Sequence, residues 1–164
     1  MICWDPVPAC RRYYRQHGFI FPALYYAAFA GLEEVCDWLL KKGADLAVGP
    51  DGRDWQWTKS VEETKQGCTL HAAVLGNVEW LAVLLIQDYP DMIEAPDGWN
   101  FTPVMLAIIL SNKRLVEKLV ESGANLEDER TLEWAAAGGR IDLVEFLIER
   151  GANTYKKATS TCHS

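Results

Sequence analysis

Leu132-Glu133-Trp134-Ala135-Ala136-Ala137-Gly138-Gly139-Arg140-Ile141-Asp142-Leu143-Val144-Glu145-Phe146-Leu147-Ile148-Glu149-Arg150-Gly151-Ala152-Asn153 decides the reading of this chain. Leu132, Ala135, Ala136 and Gly139 predict a short helix ending near Gly138-Gly139, since glycine is favoured where a helix stops in a left-handed turn. Ile141, Leu143, Val144, Phe146, Leu147 and Ile148 then make a wider apolar face at helical spacing. Asp142, Glu145, Glu149 and Arg150 fall on the solvated side, and Gly151 ends the run. The unit is helix, turn, helix, glycine.

The unit recurs upstream. Gly43-Ala44-Asp45 and Gly123-Ala124-Asn125 match Gly151-Ala152-Asn153, each after a leucine-rich run. Small residues stand ahead of each run, at Ala27-Ala28, Ala107-Ile108 and Ala135-Ala136. A further copy lies between the first two, at Ala72-Ala73 with Leu84-Leu85. Two short helices cannot bury an apolar face alone, so such units must stack on one another. In the third copy, Asp97-Gly98 and Asn100 supply turn chemistry ahead of Thr102-Pro103. Thr102 is expected to cap the helix and Pro103 to take its first position, with a second helix over residues 113–122.

These residues resemble the ankyrin repeat, D-x-x-G-x-T-P-L-H-x-A-A-x-x-G followed by I-V-x-L-L-L-x-x-G-A-D, with a period of about 33 residues. The third copy matches at Asp97, Thr102, Pro103 and Ala107, with Asn100 in a glycine slot. The second matches at Gly67, Thr69, Leu70, His71, Ala72, Ala73 and Gly76-Asn77, and the first at Leu24, Ala27, Ala28, Gly31 and Leu39–Asp45. The resemblance covers residues 21–153. A narrower likeness, in Pro22–Ala28 with Trp4-Asp5-Pro6 upstream, is to ankyrin segments that follow NACHT-type nucleotide-binding modules in fungal proteins.

The implied fold is an all-α ankyrin-repeat solenoid of about four helix-turn-helix repeats. Residues 1–20 are expected to form an N-terminal extension or cap, 21–153 the repeat domain, and 154–164 a disordered polar tail. Gly43 and Gly123 lie 80 residues apart, where two consensus repeats need about 66. The excess falls mainly in a long loop over residues 47–66, with a few residues at Asp88–Asp91. Gly123 to Gly151 is only 28 residues, so the hairpin there should shrink to a tight turn at Glu127–Arg130. The T-P-L-H block of the second copy reads as shortened, so its first helix is expected to begin late.

Composition narrows the function. The chain has 164 residues, 49% of them hydrophobic, and a net charge of −7 from 16 basic and 23 acidic side chains. The first two numbers argue for one domain with a usable core. The charge argues against a nucleic-acid or anionic-membrane surface. The longest apolar run, Phe19–Leu32, is 14 residues and contains Pro22 and Gly31, short of the roughly 18–20 a membrane span needs. The five cysteines show no CxxC pairing and read as reduced thiols in a cytoplasmic protein, with the nucleus not excluded. No P-loop or G-x-G-x-x-G motif supports a nucleotide, and no cofactor or metal is expected. His71 lies near Cys68, but no further ligands at zinc spacing and no orienting Asn or Asp accompany them, so a structural role is expected. Glu62-Glu63 and Glu127-Asp128-Glu129 read as solvated surface.

The expected function follows from the resemblance. Ankyrin repeats bind through hairpin tips and the exposed side of the first helices, a concave face. By position the candidates are Phe29, Val74, Leu75, Gly98, Trp99, Phe101, Ile109, Leu110 and Ala137, with Trp55 and Trp57 in the long loop. Tryptophan dominates interface hot spots because it buries large area at low entropy cost. Trp55 and Trp57 equally suit a second role, folding the long loop onto the array. Tyr25 and Trp134 are expected to pack, and Cys36 to be a core residue. Non-catalytic binding of a protein partner by a monomer is the leading expectation. The alternative is a severed sensor or scaffold segment, of a NACHT-type or longer array, stacking through a C-terminal repeat that keeps Ile141 and Ile148.

Overall fold

The computed structural model describes residues 23–46, 67–128 and 130–152, and among these it is helical with no strand. Eight α-helices form four pairs: α1 Ala23–Phe29 with α2 Glu33–Lys41, α3 Thr69–Leu75 with α4 Glu79–Asp88, α5 Pro103–Ile109 with α6 Lys113–Glu121, and α7 Arg130–Ala137 with α8 Ile141–Glu149. The long loop with Trp55 and Trp57, the N-terminal extension and the polar tail lie outside the described residues.

Each first helix is about two turns long and ends at a residue with positive φ: Gly31 (70°), Asn77 (59°), Ser111 (56°) and Gly139 (67°). That left-handed step lets the next residue reverse the chain into the second helix. Asn112 caps α6, its side chain accepting the Leu115 N–H at 3.1 Å, and its amide donates to Asn77 across the repeat boundary. Gly43, Gly123 and Gly151, also at positive φ, close the second helices. The second pair departs from this ending. Its α4 runs one residue longer, and Tyr89 with a 3-10 turn at Pro90–Met92 takes the place of the glycine.

The first helices α1, α3, α5 and α7 pack side by side as one continuous layer, and each second helix packs mainly on its own first helix. The core between the layers repeats in register. Leu81, Leu115 and Leu143 are sealed, as are Leu85, Leu119 and Leu147 one turn on. Fully burying one such leucine contributes roughly 1.5–3 kcal/mol. Tyr25 and Cys36 are core residues too.

Two expectations about helix starts are corrected. The first helix of the second repeat is not late: α3 starts at Thr69, in step with Pro103 of α5, because Cys68 takes the capping slot and the block is full length. Thr102 does stand at the cap position of α5, but its hydroxyl caps nothing and is buried without a partner. Met105 also lacks the ring with which His71 accepts the backbone N–H of the cap residue in α3, so the reciprocal half of a capping box is missing in α5 too. Valine is a poor cap only because it lacks the oxygen, and here that oxygen makes no bond. Thr102→Val should therefore leave stability unchanged or raise it by up to about 1 kcal/mol. A urea titration showing a comparable loss instead would mean that the hydroxyl is bonded in solution.

Candidate functional site

One register position of the first helices is exposed and apolar along the layer: Phe29 on α1, Leu75 on α3 and Ile109 on α5, continued by the exposed Ala137 on α7. Each is the last residue of its helix. Leu110, next to Ile109, is exposed as well. Trp134, one turn before Ala137, is 39% exposed while its ring meets Phe101 edge-on at 6.2 Å. It was expected to pack, and it does so with one face while leaving the other open.

Val74 does not join this row. It is fully buried, at the register of Ala28 and Ile108, and faces neighbouring helices. One residue is about 100° around a helix, which takes Val74 from the open side to the core while leaving Leu75 exposed.

The hairpin tip before α5 is held by Asp97. Its carboxylate accepts the N–H groups of Trp99 (2.9 Å) and Phe101 (2.8 Å), while its own N–H donates to the Phe101 carbonyl at 2.8 Å. Asn100 adopts φ 63°, the left-handed conformation its glycine slot requires. This tight turn carries Gly98 and Trp99 on the outside, with Trp99 58% exposed. Phe101 is instead half-buried between repeats, with the Arg130 guanidinium 5.5 Å from its ring centre. Arg130 also donates to the Asn100 carbonyl (3.1 Å) and pairs with Asp128 (2.9 Å). Hydrogen bonding to Arg130 holds the Asp128 carboxyl below its ordinary pKa. This clasp between repeats three and four was not foreseen. Its signal was the shortened connection, in which Glu127 and Asp128 lead directly into α7.

The cysteine and histidine are enclosed. Cys68 and His71 are both fully buried. His71 Nδ1 accepts the Cys68 N–H at 3.1 Å and lies 3.1 Å from Sγ, and Nε2 donates to the Phe101 carbonyl at 3.0 Å. Burial resists charge on both groups, yet each favours it on the other, holding the thiol below and the ring above its ordinary pKa. A nucleophile needs access as well as a partner, and this pair is closed to substrate. Burial likewise pushes the Tyr25 phenol and the Cys36 thiol up, which keeps both neutral. Among the described residues, no three His, Cys, Asp or Glu side chains are grouped to hold a metal ion, and no helix is long and apolar enough to cross a membrane.

Sequence comparisons agree with this architecture. The model for ankyrin repeats (3 copies) matches residues 70–158, and that for the ankyrin repeat matches residues 21–49. The chain belongs to the ankyrin repeat family. Ankyrin repeats generally mediate protein–protein interaction. The chain is 27% identical over 124 residues to Ankyrin repeat and SAM domain-containing protein 6 of Rattus norvegicus, covering 72% of this chain and 14% of that protein. It is 26% identical over 136 residues to Neurogenic locus notch homolog protein 2 of Homo sapiens, covering 80% of this chain and 5% of that protein. It thus spans a small fraction of these relatives. Its paired helices and left-handed turns are the ankyrin unit repeated four times among the described residues, with a glycine stop in all but the second.

Proposed function

We propose that this ankyrin array is a non-catalytic module that binds a protein partner along its concave face. The observation that carries the reading is the exposed apolar row Phe29, Leu75 and Ile109, extended by Leu110 and Trp134 and flanked by Trp99 at a hairpin tip. In water such a row costs solvation and contributes nothing to the core, whereas covering it with a partner removes apolar surface from water. Phe101, half-buried, meets the Trp134 ring edge-on. Trp55 and Trp57 remain candidates for the same surface. Free, buried Cys36 and Cys68 fit a reducing compartment, and we place the module in the cytoplasm or nucleus.

A second reading rests on a different surface. Ile141, 74% exposed, and Ile148 leave the outer side of the last helix apolar. A segment of a longer array, NACHT-type or other, would use that side for stacking. Recovery of partners from cells with Phe29→Ser/Leu75→Ser/Ile109→Ser, against Ile141→Ser/Ile148→Ser and the natural chain, separates the two. Each variant is first shown to melt normally. Loss of a partner by the row variant alone is the expected result. Loss by the Ile141/Ile148 variant alone would favour stacking, and a reproducible turnover that depends on a residue of this chain would overturn the non-catalytic reading.

A further inference from the structure

The first repeat exposes Val35, which its own register says should be covered. Leu81, Leu115 and Leu143 occupy one position of the second helices and are at most 1% exposed, but Val35, at the same position of α2, is 43% exposed. Leu32, at the helix-cap position held by the sealed Val78 and the less buried Asn112 and Arg140, is likewise open. Trp38, one turn beyond Val35, is 57% exposed, with the Lys42 amine 5.7 Å from its ring centre. Leu32, Val35 and Trp38 are spaced three apart and line one side of α2. In the inner repeats, the corresponding Leu81 and Val78 are covered because another repeat precedes them. Nothing among the described residues does this for α2.

We propose that residues 10–21 of this chain cover that side of α2 and cap the array. Three features support the assignment. The first is reach. The turn Ala30–Leu32 folds α1 back on α2, so the chain entering α1 arrives near the Trp38 end of α2. Val35 and Leu32 lie within about 10 Å of that end along the helix, which three or four extended residues span. The second is composition. Phe19-Ile20-Phe21 come first on leaving α1, followed by Tyr13 and Tyr14, so apolar side chains are supplied at both ends of the stripe. The third is charge. Arg11, Arg12 and Arg15 are the basic cluster of this segment, and α2 presents exposed Glu33 and Glu34 in its first turn, while Asp37 pairs with Lys41. A tethered segment also acts at millimolar effective concentration, which favours it over a free partner.

The test is a thermal double-mutant cycle. Val35→Lys/Trp38→Lys is made in the full chain and in the chain lacking residues 1–18. In the full chain the substitution should lower Tm by roughly 5 °C and raise hydrogen exchange in α1 and α2, leaving α7 and α8 unchanged. In the shortened chain it should have little further effect, because the contact is already gone. An equal fall in Tm in both backgrounds would overturn the proposal. So would self-association that rises with concentration and is lost in the Val35/Trp38 variant, since a second copy would then be the occupant. If the shortened chain does not fold, charge exchange replaces it. Arg11→Glu/Arg12→Glu/Arg15→Glu should lower Tm, and adding Glu33→Arg/Glu34→Arg should restore it; failure to restore it sinks the idea.

Discussion

Gly76→Ala is expected to destabilise the protein by about 3 kcal/mol or more and to loosen the first helix pair from the rest. Gly76 follows α3 with an ordinary right-handed backbone, so conformational freedom does not explain it. Close approach does. A Cβ there would lie 1.8 Å from the Ala28 carbonyl oxygen and 2.8 Å from the Gly31 nitrogen. Both are backbone atoms of the neighbouring repeat and cannot swing aside as a side chain would. The mirror contact is equally tight, with a Cβ on Gly31 falling 2.7 Å from the Gly76 carbonyl oxygen. Relief requires α1 and α3 to separate, which opens the sealed contacts of Ala28 and Val74. Gly138 holds the same register in repeat four and serves as the control. Its added Cβ would first meet the Ser111 hydroxyl at 3.2 Å, a group able to rotate. Gly138→Ala should therefore cost under about 1 kcal/mol. Urea unfolding gives both values, and hydrogen exchange should localise the Gly76→Ala effect to residues 23–42. Similar costs for the two variants would show that close approach is not the cause.

This contrast bears on what the sequence disclosed. The repeat was legible because its signals are local: glycine where the chain turns left-handed, proline at a first helical position, apolar residues at helical spacing. Gly76 gave no such signal. Leu110 fills the same slot in repeat three and is simply exposed there, so the need for glycine comes only from the distance between α1 and α3. The candidate row was legible at Phe29, Leu75 and Ile109 because one register repeats. It failed at Val74, where a single residue step crosses from surface to core. Thr102 failed as a cap because residue type sets only the ability to cap, and its hydroxyl is buried without reaching a backbone N–H. Val35 is the opposite case. Its position is sealed in the other three repeats, and the lack of a covering neighbour among the described residues leaves it open.

The second large effect is expected at His71. His71→Ala should lower stability by about 3–5 kcal/mol, a large share of the roughly 5–15 kcal/mol available to a domain. Two losses combine. The first is volume, because the ring is fully buried and its removal leaves a cavity inside the first-helix layer. The second is polar. The Cys68 N–H loses its acceptor at the start of α3, and the Phe101 carbonyl loses the Nε2 donor. The Cys68 N–H left unpaired costs about 1–3 kcal/mol, whereas the Phe101 carbonyl keeps the Asp97 N–H and loses only one of its two bonds. The Phe101 bond also spans 30 residues and ties the second repeat to the hairpin of the third. Its loss should reduce cooperativity as well as stability, since an array unfolds as one only while its interfaces hold. Denaturant unfolding of His71→Ala should thus show an earlier midpoint and a shallower slope. His71→Gln, which keeps polar atoms in the cavity, should recover part of the loss. A midpoint within error of the natural chain would mean that the bond to Phe101 does not couple the repeats.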